Sequence, residues 1–337
     1  MAENRFRALL VDQIAGQTRV SFPELERNAL PPGEVLIEVA FSSLNYKDGL
    51  AVTGRGQVVR QYPLVPGIDL AGTVLESDAG AFKPGDRVIA TGWGLGETHW
   101  GGYAQLARVQ AGWITPLPPP FTLAQAMAVG TAGFTAMLCI LALEEHGLTP
   151  GEREVVVTGA SGGVGSLAVA ILAKLGYKVV ASTGQTDAHA FFSRLGAQRL
   201  MDRRELAEPP RRPLAAGRWA AAVDVVGGDT LASLLAAMAP GASVAACGLA
   251  GGSQLNTTVF PFILRGVNLL GIDTPHCPPW RRQQVWSRLG RDLPLEVLDS
   301  LTQVIPLIRL PEFCHKIVDG QVCGRVLVDV NDWPGPY

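Results

Sequence analysis

The sequence predicts an α/β protein in which a doubly wound parallel sheet is joined to a β-rich domain. Three observations carry that prediction. From Leu123 onward, short β-branched apolar runs alternate with alanine-rich helical stretches, the texture of a parallel sheet covered on both faces. A turn of small residues, Ala160-Ser161-Gly162-Gly163-Val164-Gly165, stands at the first strand-to-helix junction of that region. Before Leu123, and again over 305–330, short strands sit between Gly, Pro and Asp turns.

Taken in order, residues 35–40, 71–76 and 87–91 read as strands, with Lys83-Pro84-Gly85-Asp86 as a tight turn before the third. The proline-rich stretch 113–122 reads as a segment crossing between domains. A helix is expected over 124–145. Strands are then expected at 155–158, 177–182, 198–201, 221–226, 242–247 and 267–272, with helices at 166–175 and 229–238 among those between them. The expected division is one β-rich domain over 1–120, completed by 300–337, and the parallel-sheet domain over 121–299.

Composition narrows the function classes. Apolar residues make up 47% and charged residues 17%, with mean hydropathy +0.21, so a large core can be buried. A net charge of −2 gives no basic surface for nucleic acid or for an anionic membrane. Residues 1–10 are polar and charged, unlike a signal peptide, and the long apolar stretch 231–252 contains Pro240 and reads as helix, turn and strand. Five scattered cysteines suit a reduced, cytoplasmic protein without a disulfide framework. The last strand of the parallel sheet is an apolar edge, which predicts a homodimer paired across it.

The small-residue turn points to a dinucleotide. Ala160 permits the tight turn, Gly162 lets backbone approach a pyrophosphate, and Gly165 lets the helix lie close to the strand. The N-terminus of that helix offers free N–H groups to the phosphates. The second strand runs out as Thr183-Gly184-Gln185, with no acid before Asp187. A carboxylate there would select the 2′-hydroxyl of NAD, whereas hydroxyl and amide groups accept a 2′-phosphate. Arg203 would add charge to that phosphate; its alternative is a solvated pair with Arg204. NADPH is the expected cofactor.

The order of these segments resembles the medium-chain dehydrogenase/reductase superfamily. The motifs that carry the resemblance are Ser43-Leu44-Asn45-Tyr46-Lys47-Asp48, Pro66-Gly67-Ile68-Asp69-Leu70-Ala71-Gly72, Gly101-Gly102-Tyr103-Ala104 and Gly130-Thr131-Ala132-Gly133. Within it the chain is similar to the zinc-free quinone oxidoreductase branch. Thr91-Gly92-Trp93-Gly94 and Ala246-Cys247-Gly248-Leu249-Ala250-Gly251-Gly252 resemble the acrylyl-CoA reductase subgroup. The resemblance implies a GroES-like catalytic domain with a Rossmann domain, and NADPH-dependent reduction of acrylyl-CoA to propionyl-CoA. It implies Ser161, Gly162, Gly163 and Val164 at the pyrophosphate, and Thr183, Gly184, Gln185 and Arg203 near the adenosine phosphate. Leu249 matches a further cofactor position, as do Tyr46 and Arg325 from the catalytic domain. Gln185 stands where the subgroup usually has Arg.

Zinc-dependent members place a Cys early in the catalytic domain and a His-Glu pair after a Pro-Gly. Here those places hold Asn45 or Tyr46 and Ile68-Asp69, so no metal is expected. His99 beside Trp100 reads as a packing residue. Without a metal, charge developing on a thioester oxygen must be met by hydrogen-bond donors. Tyr46 has two readings: proton donor to the substrate, or a wall of the cofactor site. Asn45 and Asp48 read as loop-fixing residues, and Cys247 as small apolar packing more than a reactive thiol. Arg55, Arg60, Arg281 and Arg282 are available to the phosphates of an acyl-CoA. The alternatives are a quinone or enone reductase and a nucleotide-binding protein without turnover.

Overall fold

A computed structural model of the chain describes residues 5–185, 188–210 and 212–333. The three valines Val155–Val157 have no exposed face and form the first strand of a six-stranded sheet. Its order is Arg199–Asp202, Val179–Thr183, Val155–Val157, Trp219–Asp224, Met238–Ala246, Asn268–Gly271, and every neighbouring pair is parallel. Val156 lies opposite Val180 on one side and Ala222 on the other. Helix Gly163–Lys174 buries Leu167, Ala168, Ile171 and Leu172, whose small and branched side chains let it lie flat on the sheet. The strand order reverses at Val155–Val157, the point where doubly wound sheets open a ligand crevice at their carboxyl ends.

The second sheet has seven strands. Thr302–Pro306, Arg325–Asp329, Val35–Ser43, Asp69–Ser77, Arg87–Thr91 and Ile114–Pro116 follow in order, with Leu106–Val109 also paired to Val35–Ser43. The first pair is parallel and the remaining pairs are antiparallel. Ile37, Val39, Leu70, Val74, Val88, Val328 and Phe313 meet in its core. Residues 114–116 correct the expectation of a crossing segment: although proline-rich, they pair with Arg87–Thr91 as an edge strand, a place where Pro116 needs no ladder hydrogen bond.

The chain divides into two compact units, residues 1–131 with 298–337, and residues 132–297. Each contains one of the large sheets. Helix Leu123–Glu145 carries the chain from one unit to the other and is broken at Gly130, whose φ of 48° lies in the left-handed region. Among the described residues it is the helix long and apolar enough to cross a membrane, with mean hydropathy 2.0 over its most apolar window, yet 89% of that window is buried, as in a core helix. The stretch 231–252 is less uniform, divided between helix Gly228–Ala237 and strand Met238–Ala246.

Candidate active site

The turn after Val155–Val157 is built from contacts that exclude larger residues. Thr158 Oγ1 donates to Asp224 Oδ1 at 2.6 Å and accepts from the Val225 amide at 3.1 Å, tying the ends of two adjacent strands together. Asp224 itself is pushed up by burial, against hydrogen bonds from Thr158, Gly227 and Val226. A Cβ on Gly165 would fall on the Gly159 carbonyl oxygen, so the close helix–strand approach holds in space as well as in sequence. Gly162 is different. It caps the helix, its nearest neighbour to a Cβ is 3.4 Å away, and it needs no glycine for the fold alone. Ser161, Gly162, Gly163 and Val164 are all half-buried at this N-terminus, where the first-turn N–H groups have no helical partner.

At the end of Val179–Thr183, Thr183 Oγ1 accepts from the Gln185 amide at 3.0 Å and fixes the turn. A Cβ on Gly184 would lie 2.9 Å from Arg203 Nε, so the Arg203 side chain rests directly on the Gly184 backbone. The two arginines then separate in role. Arg204 pairs with Asp202, whose carboxyl it holds at about 2, while Arg203 has no hydrogen bond or ion pair among the described residues. Both side chains are exposed, Arg203 with its expected phosphate role and Arg204 in its pair with Asp202. Asp187, the first acid after this strand, lies outside the described residues.

The carboxyl ends of Met238–Ala246 and Asn268–Gly271 border an open, shallow depression of about 540 Å³, lined by Ala246 to Leu249, Gly271 to Asp273 and Pro275. Cys247 is on its wall, and Leu249 is 66% exposed beside it. Gly248 must be small, because a Cβ would overlap the Val225 carbonyl.

In the other unit, Tyr46 is the first residue of helix Tyr46–Thr53, with Asn45 as N-cap and Asp48 completing a capping box. Asn45 and Asp48 do fix this loop. Tyr46 is 42% exposed, and no hydrogen-bond partner for its hydroxyl is found among the described residues. Lys47 pairs with Glu97 at 2.9 Å.

Behind this helix lies a polar cluster that sequence reasoning did not assemble. Asp69 is fully buried and accepts from Ser43 Oγ at 2.6 Å, Asn45 Nδ2 at 2.8 Å, the Thr131 amide at 2.9 Å and Thr131 Oγ1 at 2.6 Å. Arg325, expected at the cofactor, is 2% exposed; its Nε donates to the Ala128 carbonyl at 2.7 Å and Nη1 to the Leu44 carbonyl at 3.2 Å. Its Nη2 is buried with no hydrogen-bond partner among the described residues. Burial pulls the guanidinium pKa down, while Asp69 and Asp48 act to raise it. The contributing positions are far apart in sequence, and the motifs around Asn45 and Asp69 were the available signal.

Burial, then the Asp69 carboxylate, push Asp48 up to about 7, against hydrogen bonds from Asn45 and Ile68. A carboxyl raised on folding binds its proton more tightly in the native state. Its contribution is favourable below the unfolded value of 3.8 and is lost as pH climbs through about 7. Unfolding free energies of the parent and Asp48→Asn, measured from pH 4 to 8, should therefore shift toward the variant by on the order of 1 kcal/mol per pH unit crossed. Parallel curves would contradict this origin.

Three of the four arginines expected to serve acyl-CoA phosphates are otherwise engaged. Arg55 pairs with Asp319 and Arg281 with Glu145. Arg282 is 5% exposed and donates to the Cys277, Thr274 and Pro275 carbonyls, so it is not available to the phosphates of an acyl-CoA as expected. Arg60 is exposed. His99 bonds through Nε2 to the Arg108 carbonyl at 2.8 Å and packs edge-on to Trp113, as its packing role requires. Among the described residues, no three His, Cys, Asp or Glu side chains gather as a metal-holding group.

Residues 31–119 match the alcohol dehydrogenase GroES-like domain, and residues 163–289 match the zinc-binding dehydrogenase model. Acrylyl-CoA reductase AcuI of Ruegeria pomeroyi is 53% identical over 328 residues, 97% of this chain and 99% of that protein. The crystal structure of the yhdH oxidoreductase from Salmonella enterica in complex with NADP is 51% identical, with TM-score 0.94 over 96% of this chain and 99% of that one. The Bacillus subtilis protein yhfP, solved with NAD bound, is 44% identical with TM-score 0.93, over 96% of this chain and 99% of that one. With such identity along almost its whole length, the chain belongs to the medium-chain dehydrogenase/reductase superfamily, in the acrylyl-CoA reductase family that includes the Ruegeria AcuI protein.

Proposed function

We infer that the protein reduces the carbon–carbon double bond of acrylyl-CoA to propionyl-CoA with NADPH as reductant. The observation that carries this is the 53% identity to acrylyl-CoA reductase AcuI across both full lengths. The cofactor's fit is supported by the small-residue turn and by an uncommitted Arg203 resting on Gly184, with Gln185 able to add an amide contact. Bound NADPH supplies a hydride from its nicotinamide C4 to the β-carbon of the conjugated thioester. Ser161 to Val164 would hold the pyrophosphate through backbone N–H groups, Thr183 to Gln185 and Arg203 would hold the adenosine phosphate, and the exposed Leu249 would line the cofactor site. Tyr46, whose hydroxyl has no hydrogen-bond partner among the described residues, gives the α-carbon its proton. Arg325 acts from behind, bracing the Asn45 loop through the Leu44 carbonyl. The direct test is NADPH oxidation with acrylyl-CoA, crotonyl-CoA and a benzoquinone side by side. Brisk quinone reduction without acyl-CoA reduction would assign the protein to the quinone reductases instead.

NADPH should bind at least about ten times more tightly than NADH, about 1.4 kcal/mol, and Arg203→Ala should erase most of that gap. Equal affinities in the parent protein, by calorimetry or fluorescence titration, would remove the phosphate role of Arg203.

We further propose a homodimer paired through Asn268–Gly271. That strand has one neighbour in its sheet, and Leu269 is 37% exposed along it. Sedimentation at micromolar concentration should show a dimer, and a monomer alone would refute the edge pairing. Five free cysteines suit a reducing cytoplasm.

A further inference from the structure

One residue separates the buried polar cluster from the exposed Tyr46, and its side chain meets both carboxyl groups and the guanidinium of that cluster. Asn45 is 8% exposed, against 42% for its neighbour. Its Nδ2 donates to Asp69 Oδ2 at 2.8 Å and to Asp48 Oδ2 at 3.2 Å, and its Oδ1 accepts from Arg325 Nη1 at 3.4 Å. These partners fix which way round the amide sits: turned over, its oxygen would face two carboxyl groups and its NH₂ a guanidinium. A helix cap alone is served as well by Ser or Asp. Neither can do what the amide does here. Ser has one hydrogen to donate, and ionised Asp has none, whereas Asn donates twice on one side and accepts on the other.

The backbone on either side is held as firmly. The Leu44 amide donates to the Val326 carbonyl at 2.9 Å, and the Leu44 carbonyl accepts from Arg325 Nη1 at 3.2 Å. The Asn45 amide donates to Asp48 Oδ2 at 3.0 Å, and the Asn45 carbonyl accepts from the Gly49 amide at 3.1 Å. Every polar atom of residues 44 and 45 is thus engaged by a buried group, and the next side chain reaches out of that frame.

On the reading of Tyr46 as proton donor, we propose that Asn45 is its positioning residue: the amide, held between Asp69 and Asp48 on one side and Arg325 on the other, sets where the Tyr46 hydroxyl stands. A phenol at the end of a long side chain magnifies any tilt at its own Cα, and misplacing a reacting group by roughly 1 Å costs about 10²-fold in rate. Without the amide, Asp48 and Asp69 lose the donor they share, and Arg325 keeps only the Leu44 carbonyl on this loop. The helix start is then free to tilt. The Asn45 side chain is turned inward, so its effect on the reaction passes through its neighbour.

The test is a double-mutant cycle on the full chain, read as single-turnover reduction of acrylyl-CoA at saturating NADPH. Asn45→Ala should lower the rate by about 10–100-fold in the parent and by less than about twofold in Tyr46→Phe, with NADPH affinity unchanged. A merely structural Asn45 would cost the same factor in both backgrounds, and that result overturns the proposal. An Asn45→Ala rate equal to the parent's does so too. Asn45→Ser keeps a favoured cap and covers the case in which the alanine variant does not fold. Its rate should fall in the same way, with the same dependence on Tyr46. A serine variant as fast as the parent would mean that the cap suffices, and the bridging role is lost. Tyr46→Phe alone at the parent rate removes the proton-donor reading and this proposal with it. An undiminished Asn45 effect on top of a slowed Tyr46→Phe removes only the positioning role and leaves the donor in place.

Discussion

Tyr46→Phe is expected to lower turnover on acrylyl-CoA by about 10²–10⁴-fold, with little change in NADPH affinity. The phenol is placed by backbone geometry, because Asn45 caps the helix and Asp48 closes the box three residues on. That geometry does not use the hydroxyl, so Phe at this position keeps the helix start and deletes only the proton. The ring is 42% exposed and loses no buried contact. The competing role, a wall of the cofactor site, has a different signature: NADPH would bind more weakly and turnover would fall less. Single-turnover rates with a separate measurement of cofactor affinity distinguish the two. Reaction in heavy water should label the α-carbon in the parent enzyme, and label from deuterated NADPH should appear on the terminal methyl.

The largest stability loss is expected for Asp69→Ala, about 3–5 kcal/mol by urea unfolding. Methyl for carboxylate removes the acceptor shared by Ser43 Oγ, Asn45 Nδ2, the Thr131 amide and Thr131 Oγ1. It also leaves the buried Arg325 guanidinium without a main source of compensating charge. Asp69→Asn keeps the volume and one acceptor oxygen, so it should lose less. A loss below about 1 kcal/mol for the alanine variant would mean that water or a relaxed Arg325 replaces the carboxylate.

The parallel-sheet unit was legible because its strands are continuous apolar runs and its turn residues have few steric alternatives. Val155–Val157, Gly163–Lys174 and Val179–Thr183 fall within a few residues of their expected places. Strand Met238–Ala246 begins earlier than expected, since Pro240 and Gly241 are absorbed in a register shift against Trp219–Asp224 rather than ending in a turn. Ile114–Pro116 was misread because prolines mark a break only where a ladder donor is required. The cofactor loop could be read residue by residue, as its chemistry is local. The Asp69 cluster could not, because Ser43, Asn45, Asp69, Thr131 and Arg325 become neighbours only after three strands and two helices have met. The side-chain neighbours of Arg282 and Arg281 were equally hidden.

The break at Gly130 also sets an order of synthesis and folding. An interrupted helix leaves a carbonyl without a donor on one side and an amide without an acceptor on the other. Arg325 takes the Ala128 carbonyl and Asp69 takes the Thr131 amide, a cation at one helix end and an anion at the next. A side chain on Gly130 would come within 2.6 Å of Asp69 Oδ2 and 3.1 Å of Arg325 Nη2, so no other residue can sit at that joint. The arginine arrives 197 residues after the carbonyl it satisfies. Residues 132–297 are one uninterrupted piece and can fold as they leave the ribosome, whereas the first unit must wait for the chain's final strand. A nascent chain halted before Arg325 should therefore carry a protease-resistant second half and a protease-sensitive first half, the reverse of simple N-to-C maturation.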